Sequence, residues 1–239
     1  MNKSSTFFPR SIYPAPLKKR YEDKQRGFEK VLDKKVKVLL GAGFFILFVL
    51  FSYLVHRNIF TNFDFNTTIR LQDHISRRFD DSFSLLSDIG KFEPMIILLI
   101  IILLVRRKVW GIFTLLFFGL IHILELYGKF FVDHLPPPQF MLRVKHMVDF
   151  PQFHVRSEFS YPSGHAARAA FLSIFLGIII VRSKKLTQTQ KLIIIGVLAI
   201  YDIAMFTSRI YLGEHWMSDV IGGGLLGLSL GILSTLAIL

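Results

Sequence analysis

The stretch MIILLIIILLV, residues 95–105, is apolar at every position. A soluble surface helix carries one apolar stripe and one polar face, whereas a segment that is apolar all round belongs in a membrane or a large core. Five further runs of similar character lie at about residues 38–55, 109–127, 166–181, 192–207 and 217–239, and the quoted stretch extends back to Phe92. A spanning helix needs about 20 mostly apolar residues. The runs at 92–105 and 166–181 are short by strict count, so their ends include interfacial residues. The expectation is an all-α protein, a bundle of six transmembrane helices.

Composition agrees. The chain has 239 residues, of which 52% are hydrophobic, 14% aromatic and 19% charged. A soluble domain has about 45–50% apolar and about 25% charged residues. Disorder is excluded, because the apolar fraction is too high. With no cysteine, a disulfide framework, a Cys-ligated zinc site and a thiol nucleophile are excluded as well.

Basic residues orient the bundle. Lys3, Arg10, Lys18, Lys19, Arg20, Lys24, Arg26, Lys30, Lys34 and Lys35 precede the first run. Arg106, Arg107 and Lys108 follow the second, and Arg182, Lys184, Lys185 and Lys191 follow the fourth. With six spans these segments share one side, which is the cytoplasm, together with both termini. The first run begins after more than 35 residues, so it reads as an uncleaved anchor rather than a signal peptide. Residues 1–35 form a basic cytoplasmic tail and residues 36–239 the membrane domain. The tail is either an amphipathic helix on anionic lipid or a solvated segment. The net charge of +12 follows mainly from the positive-inside bias, so nucleic acid is not an expected partner. Small size and compact loops point to a bacterial inner membrane.

Two long loops, about 56–91 and 128–165, and the short turn near 208–216 lie on the opposite, extracytoplasmic side. In the first, Ile69, Ile75, Phe79, Phe83, Leu86 and Ile89 fall near helical spacing, which predicts a surface-lying helical region. Asn66-Thr67-Thr68 matches the short glycosylation pattern. The second loop opens with Lys129, contains Pro136-Pro137-Pro138 and ends in Tyr161-Pro162-Ser163-Gly164-His165. The turn carries Ser208, Arg209, Glu214, His215 and Asp219. Topology alone therefore gathers three polar clusters on one face.

Their chemistry is specific. His215 and Asp219 are four residues apart at a helix start and share a face. A carboxylate on one imidazole nitrogen fixes the tautomer and frees the other nitrogen as nucleophile or base. His165 follows Ser163 and Gly164 at a helix N-terminus, where free N–H groups favour an anion. Lys129 and Arg209 add positive charge. Two imidazoles, a carboxylate and two cations suit phosphoryl transfer without a metal or other cofactor.

These residues resemble the type-2 phosphatidic acid phosphatase superfamily of integral-membrane lipid phosphatases, which is related to bacterial acid phosphatases and vanadium haloperoxidases. That family's pattern is KxxxxxxRP, then PSGH, then SRxxxxxHxxxD. Pro162-Ser163-Gly164-His165 matches the second part, and Ser208-Arg209, His215 and Asp219 match the third. The likeness covers about residues 90–239. The first part departs: after Lys129 the family's Arg position holds Pro136. Arg143, Arg156 and Arg168 are the candidates to replace that guanidinium.

The resemblance implies a lipid phosphate phosphatase acting on phosphatidic acid, phosphatidylglycerol phosphate, a polyprenyl diphosphate or a lipid A-type phosphate. His215 would attack phosphorus, Asp219 would orient it, and His165 would protonate the leaving group. Lys129, Ser163, Gly164 and Arg209 would hold the phosphoryl oxygens. The alternatives are a lipid phosphotransferase on the same scaffold and a degenerate lipid-binding member.

The other polar residues read more plainly. His56, His74, His122, His134, His146 and His154 are expected at interfaces. A metal set drawn from His134, His165, His215 and Asp219 has no specific spacing, and none is expected. Glu125–Lys129 and Asp202–Arg209 are candidate supporting pairs, since intramembrane acids usually face a partner. Gly223, Gly227 and Gly231 form a small-residue row suited to helix packing within the monomer, or to a homo-oligomer face.

Overall fold

The computed structural model describes residues 15–106, 111–144 and 158–237. Among them are eight α-helices and no strand: α1 (Ala15–His56), α2 (Thr61–His74), α3 (Asp80–Ile89), α4 (Phe92–Arg106), α5 (Gly111–Phe131), α6 (Gly164–Val181), α7 (Gln188–Tyr211) and α8 (Met217–Ser234). Five of these, in α1 and α5 to α8, are long and apolar enough to cross a membrane. The sixth expected span, α4, has 15 residues among those described. At 1.5 Å per residue it reaches about 22 Å, less than a bilayer's hydrocarbon core of about 30 Å. The tail boundary expected near residue 35 is not a break in structure, because α1 runs through it unbroken from Ala15.

The centre of the bundle is α8, of which 72% is buried, followed by α6 at 56%. Glycine explains the close approach of these two helices. A β-carbon on Gly223 would lie 2.3 Å from the Ser163 carbonyl oxygen, and one on Gly227 would lie 2.2 Å from that of Ala167. The glycine row therefore packs α8 against the main chain of α6 within one molecule. On another side of α8, the Ser229 hydroxyl donates to the Gly41 carbonyl of α1 at 2.8 Å. Phe118, Phe171, Phe175, Leu99 and Leu226 fill the core between these helices. The outer helices show their apolar side chains outward, as Leu104, Leu192 and Ile200 do. That is the pattern of a bundle solvated by lipid rather than water.

The predicted helical region in the loop after α1 is present as α2 and α3, joined by a 3₁₀ turn at Arg77–Phe79. Its polarity runs opposite to that of a water-facing amphipathic helix. Asp64, Thr68, Asp80, Ser84, Ser87 and Asp88 are the buried positions. Phe63, Phe65, Phe79, Leu85 and Ile89 point away and are about half-exposed. The reason lies in what these helices cover. They sit against α7 and α8, where Arg209, the Tyr211 hydroxyl and Ser218 need polar partners. Asp80 accepts from Tyr211 at 2.5 Å, and Asp64 accepts from the Ser218 backbone at 2.8 Å and its hydroxyl at 2.7 Å.

Candidate active site

The ends of α5 and α7 and the starts of α6 and α8 meet at one end of the bundle. They enclose a cavity of about 340 Å³ lined by Glu125, Lys129, Pro136, His165, Arg168, Arg209, Glu214 and His215, among others. Small-molecule sites span about 300–1,000 Å³, so there is room for a phosphorylated head group. His165, His215, Lys129 and Arg209, expected together from sequence, share this cavity.

Each is placed by local structure. The turn from α7 to α8 reverses at Gly213, whose φ of +70° is a left-handed conformation suited to glycine. A β-carbon there would also meet the Met141 carbonyl at 2.3 Å. The reversal puts Arg209 on the last turn of α7 beside His215. Asp219, in the first turn of α8, accepts from the Trp216 backbone N–H at 3.0 Å through Oδ2. The same oxygen lies 3.4 Å from Nδ1 of His215, so Nε2 is the imidazole nitrogen left for other partners. Asp219 is fully buried behind His215 and does not line the cavity.

His165 is the second residue of α6. Its Nε2 is buried and has no hydrogen-bond partner. A buried polar atom without a partner is uncommon and calls for an explanation; here the residue faces the cavity. Ser163 is the N-cap of α6: its side chain accepts from the Ala166 N–H, and its own N–H donates to the Asp219 carbonyl at 3.0 Å. It is fully buried and outside the cavity lining, as is Gly164. Gly164 matters in another way: a β-carbon on it would lie 2.2 Å from Oε2 of Glu125 and would push that carboxylate aside.

Glu125 is the hub of the cations. Oε2 accepts from Arg168 Nη1 at 2.9 Å, and Oε1 lies 3.4 Å from the Lys129 ammonium. The expected Glu125–Lys129 pair is therefore formed. The Asp202–Arg209 pair is not: Asp202 accepts from the Ser173 hydroxyl at 2.8 Å, while Arg209 pairs with Glu214 and donates to Ser87. Asp202 lies more than a helical turn from Arg209 on α7, and the nearer acceptors on the turn and on α3 capture the guanidinium. Of the three candidates for the missing guanidinium, Arg168 lines the cavity together with Pro136. Arg143 stacks over the Tyr211 ring at 5.1 Å, outside the lining. Arg156 lies outside the described residues, as do His146 and His154.

Sequence reading missed His134. Expected at an interface, it is 7% exposed, and its Nδ1 lies 2.8 Å from Oδ1 of Asp219. Its Nε2 lies 3.9 Å from Oδ2 of Asp64. Burial lowers its pKa, but the hydrogen bond to Asp219 and the charges of Asp219 and Asp64 outweigh this and raise it above the ordinary value. His215 moves the other way: burial pushes its pKa below the ordinary value, opposed by Asp219 and aided by Arg209 and Lys129. Asp64 was also missed, and Glu214, though named in the turn, was not expected to pair with Arg209. Among the described residues no group of three or more His, Cys, Asp or Glu is arranged to hold a metal ion.

Comparison with known proteins starts from this geometry. Over 138 residues the chain is 29% identical to phosphatidylglycerophosphatase B of Bacillus subtilis (strain 168), an alignment covering 57% of this chain and 63% of that relative. The chain thus matches less than two thirds of the relative's length. The crystal structure of a transmembrane PAP2-type phosphatidylglycerolphosphate phosphatase from Bacillus subtilis has the same fold. The TM-score is 0.66 at 23% identity, over 82% of this chain and 94% of that one. Aquifex aeolicus LpxE is a more distant structural neighbour, with a TM-score of 0.55 at 24% identity over 72% of this chain and 94% of its own. The profile of the PAP2 superfamily matches residues 108–238. That span is more than half of the chain and contains both imidazoles, Asp219 and the cavity's three cations, so the chain belongs to the PAP2 superfamily.

Proposed function

We propose that this protein is a lipid phosphate phosphatase that hydrolyses a phosphomonoester or diphosphate through a phosphohistidine on His215. The observation that carries this reading is the single cavity shared by His165, His215, Lys129, Arg168 and Arg209, with Asp219 buried behind His215. The Asp219 contact leaves Nε2 of His215 to attack phosphorus while the bond to the leaving oxygen breaks. His165, as the imidazolium once the phosphoryl anion is bound, gives that oxygen its proton from Nε2, which has no protein partner. It then takes a proton from the water that cleaves the N–P bond, releasing inorganic phosphate and regenerating both imidazoles.

Lys129, Arg168 and Arg209 hold the charge that develops on the equatorial oxygens, the usual source of phosphoryl-transfer catalysis. Gly164 contributes its backbone at the N-terminus of α6, and Ser163 acts by capping that helix. Arg168 takes the place of the guanidinium that the family pattern sets at Pro136. No step in this scheme calls for a metal or other cofactor.

The site is assigned to the extracytoplasmic face. The support is that Lys34 and Lys35 lie near the start of the apolar span 31–56 of α1, and Lys184, Lys185 and Lys191 where α6 ends and α7 begins, all away from the cavity on the side expected to be cytoplasmic. The relatives' names make phosphatidylglycerol phosphate the first substrate to try. Purified protein should release inorganic phosphate from it, or from phosphatidic acid, a polyprenyl diphosphate or a lipid A-type phosphate. Release from none of the four would sink the reading. Hydrolysis in ¹⁸O-labelled water should put the label in the released phosphate; transfer of the phosphoryl group to a lipid hydroxyl instead would make the protein a transferase.

A further inference from the structure

The carboxylate behind the nucleophile is shared between two imidazoles. Nδ1 of His134 lies 2.8 Å from Oδ1 of Asp219, and Nδ1 of His215 lies 3.4 Å from Oδ2. The closer partner is thus His134, which falls at a position the family pattern leaves unspecified. We propose that His134 is a positioning residue: by holding Oδ1 of Asp219 it fixes the plane of that carboxylate and so aims Oδ2 at His215. The proposal rests on the reading of His215 as nucleophile.

Several contacts make His134 a firm support. Its carbonyl accepts from the Ser160 N–H at 2.8 Å and the Ser160 hydroxyl at 3.1 Å. The next carbonyl, of Leu135, accepts from Trp216 Nε1 at 2.7 Å, which ties the loop to the residue beside His215. On the far side of the ring stands Asp64 of α2, 3.9 Å from Nε2 and itself held by both donors of Ser218. The row Asp64–His134–Asp219–His215 alternates acid and base. Asp64, Asp219 and His134 are all buried.

A carboxylate with one bonded oxygen can swing about its Cβ–Cγ bond, because that torsion is broad. Bonds to both oxygens remove this freedom. The same atoms tie the site to α2, an element outside the family's motifs.

Two substitutions separate positioning from packing, because they carry the same amide at different reach. His134→Asn sets its amide N–H near the place of Nδ1, toward Asp219. His134→Gln sets it near the place of Nε2, toward Asp64. With a lipid phosphate that the wild type hydrolyses, His134→Gln should lower kcat about 10- to 100-fold, the range for losing a charge-assisted hydrogen bond. KM should move less than about threefold, since no phosphate contact is lost. His134→Asn should stay within about fivefold of wild-type kcat, because the bond to Asp219 survives. Wild-type kcat in a folded His134→Gln, or equal losses in both variants, would overturn the proposal. Should His134→Gln fail to fold, the Asn variant alone decides: a fall in kcat beyond about tenfold with the fold intact refutes it. His215→Ala run beside them keeps the two ideas apart. If it retains activity, the nucleophile assignment fails and takes this proposal with it; if it is inactive, the His134 variants test positioning alone.

Discussion

Arg168 Nη1 donates to Oε2 of Glu125 across 2.9 Å, and both residues line the cavity that holds His165 and His215. A buried cation held by a buried carboxylate is pre-aimed but not neutral toward a third partner. Its remaining N–H groups can still face a phosphoryl oxygen. Removing it should therefore act on substrate. Arg168→Ala should lower kcat/KM about 10- to 150-fold, the equivalent of about 1.5–3 kcal/mol for one charged contact. Arg168→Lys should recover part of this, since a point charge replaces a planar fork. Steady-state kinetics on a phosphomonoester lipid checks both. An unchanged kcat/KM in the alanine variant would leave Pro136 without a substitute.

Gly164 bears on the same carboxylate from the other side. With only 2.2 Å between its would-be β-carbon and Glu125 Oε2, Gly164→Ala must displace Glu125 and loosen its bonds to Arg168 and Lys129. We expect a loss of about 1–3 kcal/mol of stability, the usual cost of overpacking, read as a lower unfolding temperature in detergent. Phosphate release should fall in parallel. Full stability with full activity would mean that Glu125 has somewhere else to go.

The pH profile follows from His215. Burial lowers its pKa, Asp219 opposes the shift, and Arg209 and Lys129 reinforce it. The group is neutral at pH 7 and becomes charged, losing its lone pair, as pH falls through the lowered value. The acid limb of kcat/KM should therefore lie below the ordinary imidazole value of about 6.5. A midpoint above 7 on that limb would assign it to another group.

Orientation can be tested cleanly because the chain has no cysteine. A single cysteine in place of Asn62, exposed on α2 at the cavity end, should react with an impermeant thiol reagent added to intact cells. One in place of Thr189, exposed near the start of α7, should react only after the cells are opened. The reverse pattern would place the site in the cytoplasm.

Much of the bundle was legible because lipid imposes a simple code. Runs of Ile, Leu and Phe set α4 to α8 to within about five residues and the C-terminal end of α1, though not its start at Ala15, and the dyad of His215 and Asp219 follows from a four-residue spacing where the chain enters α8. What escaped depends on long-range pairing. His134 sits beside Asp219 only because the loop after α5 is pinned by Ser160 and Trp216, and nothing near residue 134 signals this. Nor does the period of α2 and α3 reveal that their polar face is the inner one. Periodicity says that a helix has two faces; which face turns inward is decided by neighbours distant in sequence. The Asp202–Arg209 expectation failed for a related reason. Nearness along a helix cannot weigh the competing claims of Glu214 and Ser87.

The glycines of α8 have one more consequence. Because Gly223 and Gly227 seat that helix on the peptide groups of α6 rather than on its side chains, the spacing between Asp219 and His165 is set by main-chain thickness. Asp219 and His165 are thus carried by the two most enclosed helices, whereas Arg209 reaches the same cavity on α7, a helix with far more of its surface turned outward.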